Sequence, residues 1–216
     1  MEKISNGILE VQISETGAEL RSIRKDGAEY LWQGDEKHWK RHAPLLFPFV
    51  GRLTEKRYVY KGESYEMTSH GFAPTSAFAV ASNKGDAVTF TLSSDEETRR
   101  IYPFDFSLSV TYSLSGNILT ESVEVRNAGR GKMLYGIGFH PGFCLPMEDG
   151  LDFADYEIAF PGMTDPEYRV FAPDHLEAGY NESYKGMTGK AIKLDHELFA
   201  DDAIVLHGMG GRAVLS

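Results

Sequence analysis

FDFSLSVTYSLSGNILTESVEVRN, residues 104–127, alternates apolar and polar side chains over its first half: Phe104, Phe106, Leu108, Val110 and Tyr112 occupy every second position. A strand turns successive side chains to opposite faces, so this spacing makes one apolar face and one polar face. Ser115-Gly116-Asn117 then interrupts the pattern with residues suited to a tight turn. The stretch predicts a β-hairpin that covers a core on one side only.

The same grammar extends in both directions. ILEVQIS puts Leu9, Val11 and Ile13 on one face; LRSIRKDGAEYLW predicts two strands around Lys25-Asp26-Gly27, and YVYKGESYEM two more around Lys61-Gly62. AFAVASNKGDAVTFTL repeats the arrangement about residues 83–86. Helical signal is slight: Ser94 with Glu97 three positions on has capping-box spacing, but no apolar stripe follows, so a turn or two is expected there. Between Pro141 and Lys193 alternation weakens, and long loops with short strands are expected, YEIAF among them. The class is antiparallel all-β, a sandwich or a barrel, as a single domain over residues 1–216. The end, DDAIVLHGMGGRAVLS, reads as a strand, a glycine turn and the start of a partner strand, half a hairpin with an exposed edge.

Composition narrows the function. A net charge of −10 over 216 residues, with no basic stripe, argues against nucleic acid. A single cysteine, Cys144, excludes an internal disulfide and suits a reducing compartment. The opening MEKISNGILEVQIS lacks the apolar run of an export signal, and no stretch is long and apolar enough to span a bilayer, so a cytoplasmic protein without a membrane partner is expected.

Three stretches carry possible chemistry. MLYGIGFHPGF, residues 133–143, has strand alternation that places Gly136, Gly138 and His140 on one face and ends at Pro141. Glycines inside a strand usually mark a bulge or a close approach by something else. This segment alone leaves open whether His140 is a core histidine or a site residue. RHAPLLFPFVGRL carries Pro48, which argues against a central strand, and presents Arg52 after Gly51. Arg41 reads as a surface arginine, whereas Arg52, among Phe47, Phe49, Val50 and Leu53, must be paired or face a polar cavity. TSHGFAP sets His70 before Gly71 and Phe72, a second histidine beside glycine and an aromatic.

The seven histidines are spread along the chain, so no metal is expected. GxSxG, GxGxxG and P-loop patterns are missing, and Cys144 follows an aromatic run where burial would leave it inert, so neither covalent catalysis nor a nucleotide cofactor is expected. Histidine, arginine and aromatics in an acidic domain suit a small sugar: aromatic rings for its C–H faces, arginine for its hydroxyls, a histidine to protonate a ring oxygen.

RHAPLLFPFVGRL, YEMTSHGFAP, YPFDFSLSVTYSL and GFHPGFCLP, in this order and spacing, resemble the aldose 1-epimerase (galactose mutarotase-like) family, above all its small bacterial homologues. The resemblance implies a large antiparallel β-sandwich, the galactose mutarotase-like supersandwich, with the sugar in a cleft on one curved sheet. It implies a cofactor-free isomerase that interconverts the α and β anomers of a free hexose by acid/base ring opening. It also implies that His140 protonates the ring oxygen, that His70 assists, and that Arg52 and Asp202, with Asp201 as the alternative to the latter, bind the sugar. On this view the glycine face of residues 133–143 leaves room for the pyranose ring beside His140.

The resemblance also implies a catalytic glutamate on a strand near the C-terminus, and no acid follows Asp202. The expectation is therefore a fold lacking its C-terminal strands, a fragment of a longer product. The alternatives are strands supplied from elsewhere, a carbohydrate-binding protein without turnover, and an epimerase for a phosphorylated hexose, for which Lys40, Arg41 and Arg52 are close enough in sequence to meet the phosphate.

Overall fold

Strand pairing follows the turn residues almost position for position. The computed structural model describes residues 1–172, 176–200 and 203–216, and its contacts divide the chain into two units, Met1–Cys144 and Leu145–Ser216.

In the first unit, β1 (Glu2–Ser5), β2 (Leu9–Ile13), β3 (Leu20–Lys25) and β4 (Ala28–Glu29) form an antiparallel sheet in chain order. Asp26 and Gly27 both take positive φ, the left-handed geometry that a two-residue turn needs to match strand twist. β5 (Leu45–Leu46) is a short strand before Pro48, and β6 (Arg57–Tyr60) and β7 (Glu63–Glu66) make the hairpin expected around Lys61-Gly62. A second four-stranded sheet has the order β11-β10-β9-β8, from β8 (Ala79–Asn83), β9 (Ala87–Ser93), β10 (Phe106–Ser115) and β11 (Ile118–Asn127), with the short helix α1 (Glu96–Ile101) between β9 and β10. β12 (Gly138–Phe139) pairs with β5.

Ile4, Leu9, Val11 and Ile13 from one sheet and Val88, Phe90, Phe106, Leu108, Val110 and Tyr112 from the other are buried in one cluster, so this unit is a sandwich. The Tyr112 hydroxyl donates across the core to the Ala18 carbonyl at 2.8 Å.

The cap of α1 lies one residue beyond the expected Ser94. Asp95 accepts from the Thr98 N–H at 2.8 Å, and the Thr98 hydroxyl accepts from the Asp95 N–H in return. Ser94 is still in the ladder: its N–H donates to Phe106 O and its hydroxyl accepts from Phe106 N. Ser94 is thus held beside β10, and the helix starts one residue later, with Asp95 as its cap.

The bare glycines of residues 133–143 have a neighbour. β12 is only the centre of a longer antiparallel contact with residues 42–48: Gly136 N–H donates to Pro48 O, His140 N–H to Pro44 O and Gly142 N–H to His42 O. A Cβ on Gly136 would lie 3.6 Å from Pro48 O, and one on Gly138 would lie 3.2 Å from Val50 Cγ2. The glycine face is filled by the 46–50 chain, which corrects the expectation that it stands open for a pyranose.

The second unit contains β13 (Glu157–Ala159) within YEIAF, β14 (Glu167–Phe171), β15 (Glu177–Ser183), β16 (Ala191–Lys193), β17 (Leu206–His207) and β18 (Val214–Leu215). Two three-stranded sheets result, β16-β13-β18 and β15-β14-β17. The terminal half hairpin is not found, because β17 pairs with β14 while β18 pairs with β13. Gly208 and Gly210 redirect the chain between them: both have positive φ, and a Cβ at either would collide with the carbonyls of Thr164 and Gly162. The residues at the end are paired, with Ser216 and Glu157 exchanging both backbone bonds.

No helix among the described residues is long and apolar enough to cross a membrane.

Candidate functional site

The site lies in the first unit and begins with a buried carboxylate. Glu19, at 2 % exposure, accepts from His42 N–H at 2.9 Å and Ala43 N–H at 3.2 Å through Oε1, while Arg21 Nη1 donates to Oε2 at 3.1 Å. This anchors the extended segment leading into β5. His42 points inward and is buried, so alternation sends Arg41 the other way, where its guanidinium donates to Pro74 O at 2.9 Å.

A second loop is pinned to the same segment. The carbonyl of Phe47 accepts from both Phe72 N–H and Ala73 N–H, and a Cβ on Gly71 would stand 2.2 Å from that carbonyl oxygen. Only glycine permits this approach. His70, just before it, sits at φ +68° and exchanges bonds with Gly51: its N–H donates to Gly51 O, and Gly51 N–H donates to its Nδ1 at 3.2 Å.

His140 arrives from the other side, its backbone bonded to Pro44. Its ring lies 5.9 Å from that of His70 at 62°, and 4.9 Å from that of Trp39 at 43°. Trp39, Arg41, Leu46, His70, Pro74 and His140, with Thr68, Ser69 and Thr75, line an open cavity of about 330 Å³. That volume is at the small end of ligand sites and suits one monosaccharide. Burial, then the charges of His140, Arg52 and Arg41, hold the His70 imidazole below the usual histidine range. With Nδ1 accepting from Gly51, the neutral ring carries its proton on Nε2 and is a fixed donor.

The structure thus brings together His70 and His140 at one cavity. Arg52 is exposed and is absent from the wall, although its charge reaches His70. Asp202, like Asp201, lies outside the described residues. Arg41, read from sequence as a surface arginine, is in the wall, and Trp39 joins it from two positions earlier on the same face of an extended chain. That i, i+2 relation was the available signal; the residues opposite it were not readable. No carboxylate is among the described residues lining the cavity, and no three His, Cys, Asp or Glu side chains among the described residues group as a metal site. Cys144 donates to Leu31 O, and burial pushes its thiol up, away from the reactive thiolate.

The sequence matches the Aldose 1-epimerase family over residues 3–207. It is similar to Protein LacX of Lactococcus lactis subsp. lactis, 31 % identical over 220 aligned positions that cover 98 % of this chain and 74 % of that protein. Among solved structures, a galactose mutarotase related enzyme from Lactobacillus acidophilus superposes with a TM-score of 0.91 at 35 % identity, covering 99 % of this chain and 71 % of that one. A galactose mutarotase-like protein from Lactobacillus casei ATCC 334 gives 0.88 at 34 % identity, covering 95 % of this chain and 71 % of that one. The antiparallel β fold is therefore galactose mutarotase-like.

Proposed function

Because this chain belongs to the aldose 1-epimerase family, we propose that it interconverts the α and β anomers of a hexose by opening and reclosing the pyranose ring. Opening requires a proton delivered to the ring oxygen as its bond to the anomeric carbon breaks, and a proton taken from the anomeric hydroxyl. His140 is assigned the delivery, since imidazole is the side chain that changes charge near neutrality. His70 is assigned the fixed Nε2–H donor that orients a sugar oxygen. Arg41 and Arg52 are assigned to the sugar hydroxyls, and Asp202 keeps that role by resemblance alone. The acceptor of the anomeric proton is none of the described residues in the cavity wall. The observation that carries this reading is the pairing of His70 and His140, 5.9 Å apart, at one monosaccharide-sized cavity.

The test is anomer exchange of galactose and glucose, followed by NMR on the purified chain. Exchange above the buffer rate that is lost in His140→Asn is expected; a fully active His140→Asn would overturn the assignment. Arg41 and two imidazoles in the wall, with no carboxylate among its described residues, also favour an anionic sugar as a second reading. Comparing glucose with glucose 6-phosphate as ligands separates the two. Sugar binding with exchange at the buffer rate would instead mark a carbohydrate-binding protein.

A further inference from the structure

The His140 ring is exposed, and among the described residues it makes no hydrogen bond; the contacts it does make there are with other rings. Its backbone is well fixed: His140 N–H donates to Pro44 O, Gly142 N–H to His42 O, and Trp32 N–H to Gly142 O at 3.0 Å. Its ring meets Trp39 at 4.9 Å and, more distantly, His70 at 5.9 Å.

Trp39 is itself held in place. Its carbonyl accepts from Trp32 Nε1–H at 2.7 Å and from Asp35 N–H at 3.0 Å. Its ring presses on the chain just past the histidine: a Cβ on Gly142 would lie 2.9 Å from Trp39 Cζ3 and 2.9 Å from Trp32 Cβ. Gly142 is thus the residue that allows an indole to close over the His140-Pro141 turn.

We propose that Trp39 is the positioning residue for His140: its indole, seated on Gly142, fixes the imidazole that delivers the proton, and its remaining surface is an apolar wall of the sugar site. The proposal rests on the reading of His140 as the acid. An imidazole without hydrogen bonds is free to turn about its side-chain torsions once the ring beside it is removed. A misplacement of about 1 Å costs a catalytic group roughly 100-fold in rate. The apolar wall adds contact with a C–H face of the pyranose, which binding senses more weakly than turnover senses the acid.

The experiment compares Trp39→Ala and Trp39→Phe with the parent by two readouts. The first is the NMR resonances of the His140 ring protons, assigned by their loss in His140→Asn. The indole ring current displaces them, so Trp39→Ala should return them towards free-histidine values and Trp39→Phe should move them part of the way. The second is anomer exchange: kcat should fall roughly 100-fold in Trp39→Ala with a smaller rise in KM, and Trp39→Phe should restore most of kcat. Unmoved His140 resonances in Trp39→Phe, or an unchanged kcat in folded Trp39→Ala, would overturn the proposal. If the parent shows no exchange, the enzymatic reading fails separately, and the His140 side-chain couplings, which should average over rotamers in Trp39→Ala and stay single-valued in the parent, still decide whether Trp39 holds His140.

Discussion

Gly51 N–H donates to His70 Nδ1 at 3.2 Å, and His70 N–H donates back to Gly51 O at 2.9 Å. The pair ties a side chain and a backbone to one residue of another loop, and it leaves Nε2 as the ring nitrogen available to a ligand. His70→Asn separates the two functions. Asparagine tolerates positive φ and its carbonyl can accept from Gly51, so the melting temperature should change little, while anomer exchange should fall at least about 10-fold through loss of the Nε2–H donor.

The same histidine has a pH signature. Its folded pKa is depressed, chiefly by burial, from 6.5. The unfolded chain therefore binds the proton more readily, and the contribution of His70 to stability is present at neutral pH and is lost as pH falls through 6.5. An NMR titration should place its midpoint below 6.5, with nitrogen shifts typical of the Nε2–H tautomer; a midpoint above 6.5 would contradict the buried geometry.

Gly71→Ala should be among the most damaging small substitutions. Alanine would adopt φ +76° and place its Cβ 2.2 Å from Phe47 O, where backbone must move. A loss of about 3 kcal/mol or more in urea unfolding is expected, against about 1 to 2 kcal/mol for Gly62→Ala, whose Cβ position is open and whose cost is its positive φ alone.

Glu19→Ala should cost about 3 to 5 kcal/mol, because it leaves the His42 and Ala43 N–H groups and the Arg21 guanidinium without their acceptor. Glu19→Gln keeps an acceptor oxygen and should cost less. Because this carboxylate anchors the segment that carries Trp39 and Arg41, sugar affinity measured by calorimetry should fall in Glu19→Gln while the fold persists.

Glu121 behaves in the opposite sense to His70. Tyr112 has one hydroxyl proton and lies 2.8 Å from Ala18 O and 2.9 Å from Glu121 Oε1. A protonated Glu121 completes the set by donating to the tyrosine oxygen. Burial raises its carboxyl from 4.5 to about 7. Stability from this group is thus full below pH 4.5 and is lost as pH rises towards 7. Glu121→Gln, neutral at every pH, should unfold at higher urea than the parent at pH 8 and at similar urea at pH 4.5; an equal difference at both values would exclude a buried proton.

Alternation and turn chemistry are local, and they carried much of the fold. The period of two in residues 104–127, Asp26-Gly27 and Lys61-Gly62 each specify a strand face or a turn within a few residues, so individual strands and hairpins of the first unit could be read from the chain. The sequence also singled out His70 and His140, histidines near glycine and aromatics, and their rings meet at one cavity. Partners were not. Whether Gly136 and Gly138 face a sugar or Val50, and whether β18 pairs with β17 or β13, depends on which distant segment lies alongside, and one strand's pattern names its faces without naming its neighbour. Arg41 and Trp39 entered the cavity for the same reason: distant partners hold their segment, Glu19 through the His42 and Ala43 N–H groups, Pro74 through the Arg41 guanidinium and Trp32 through the Trp39 carbonyl.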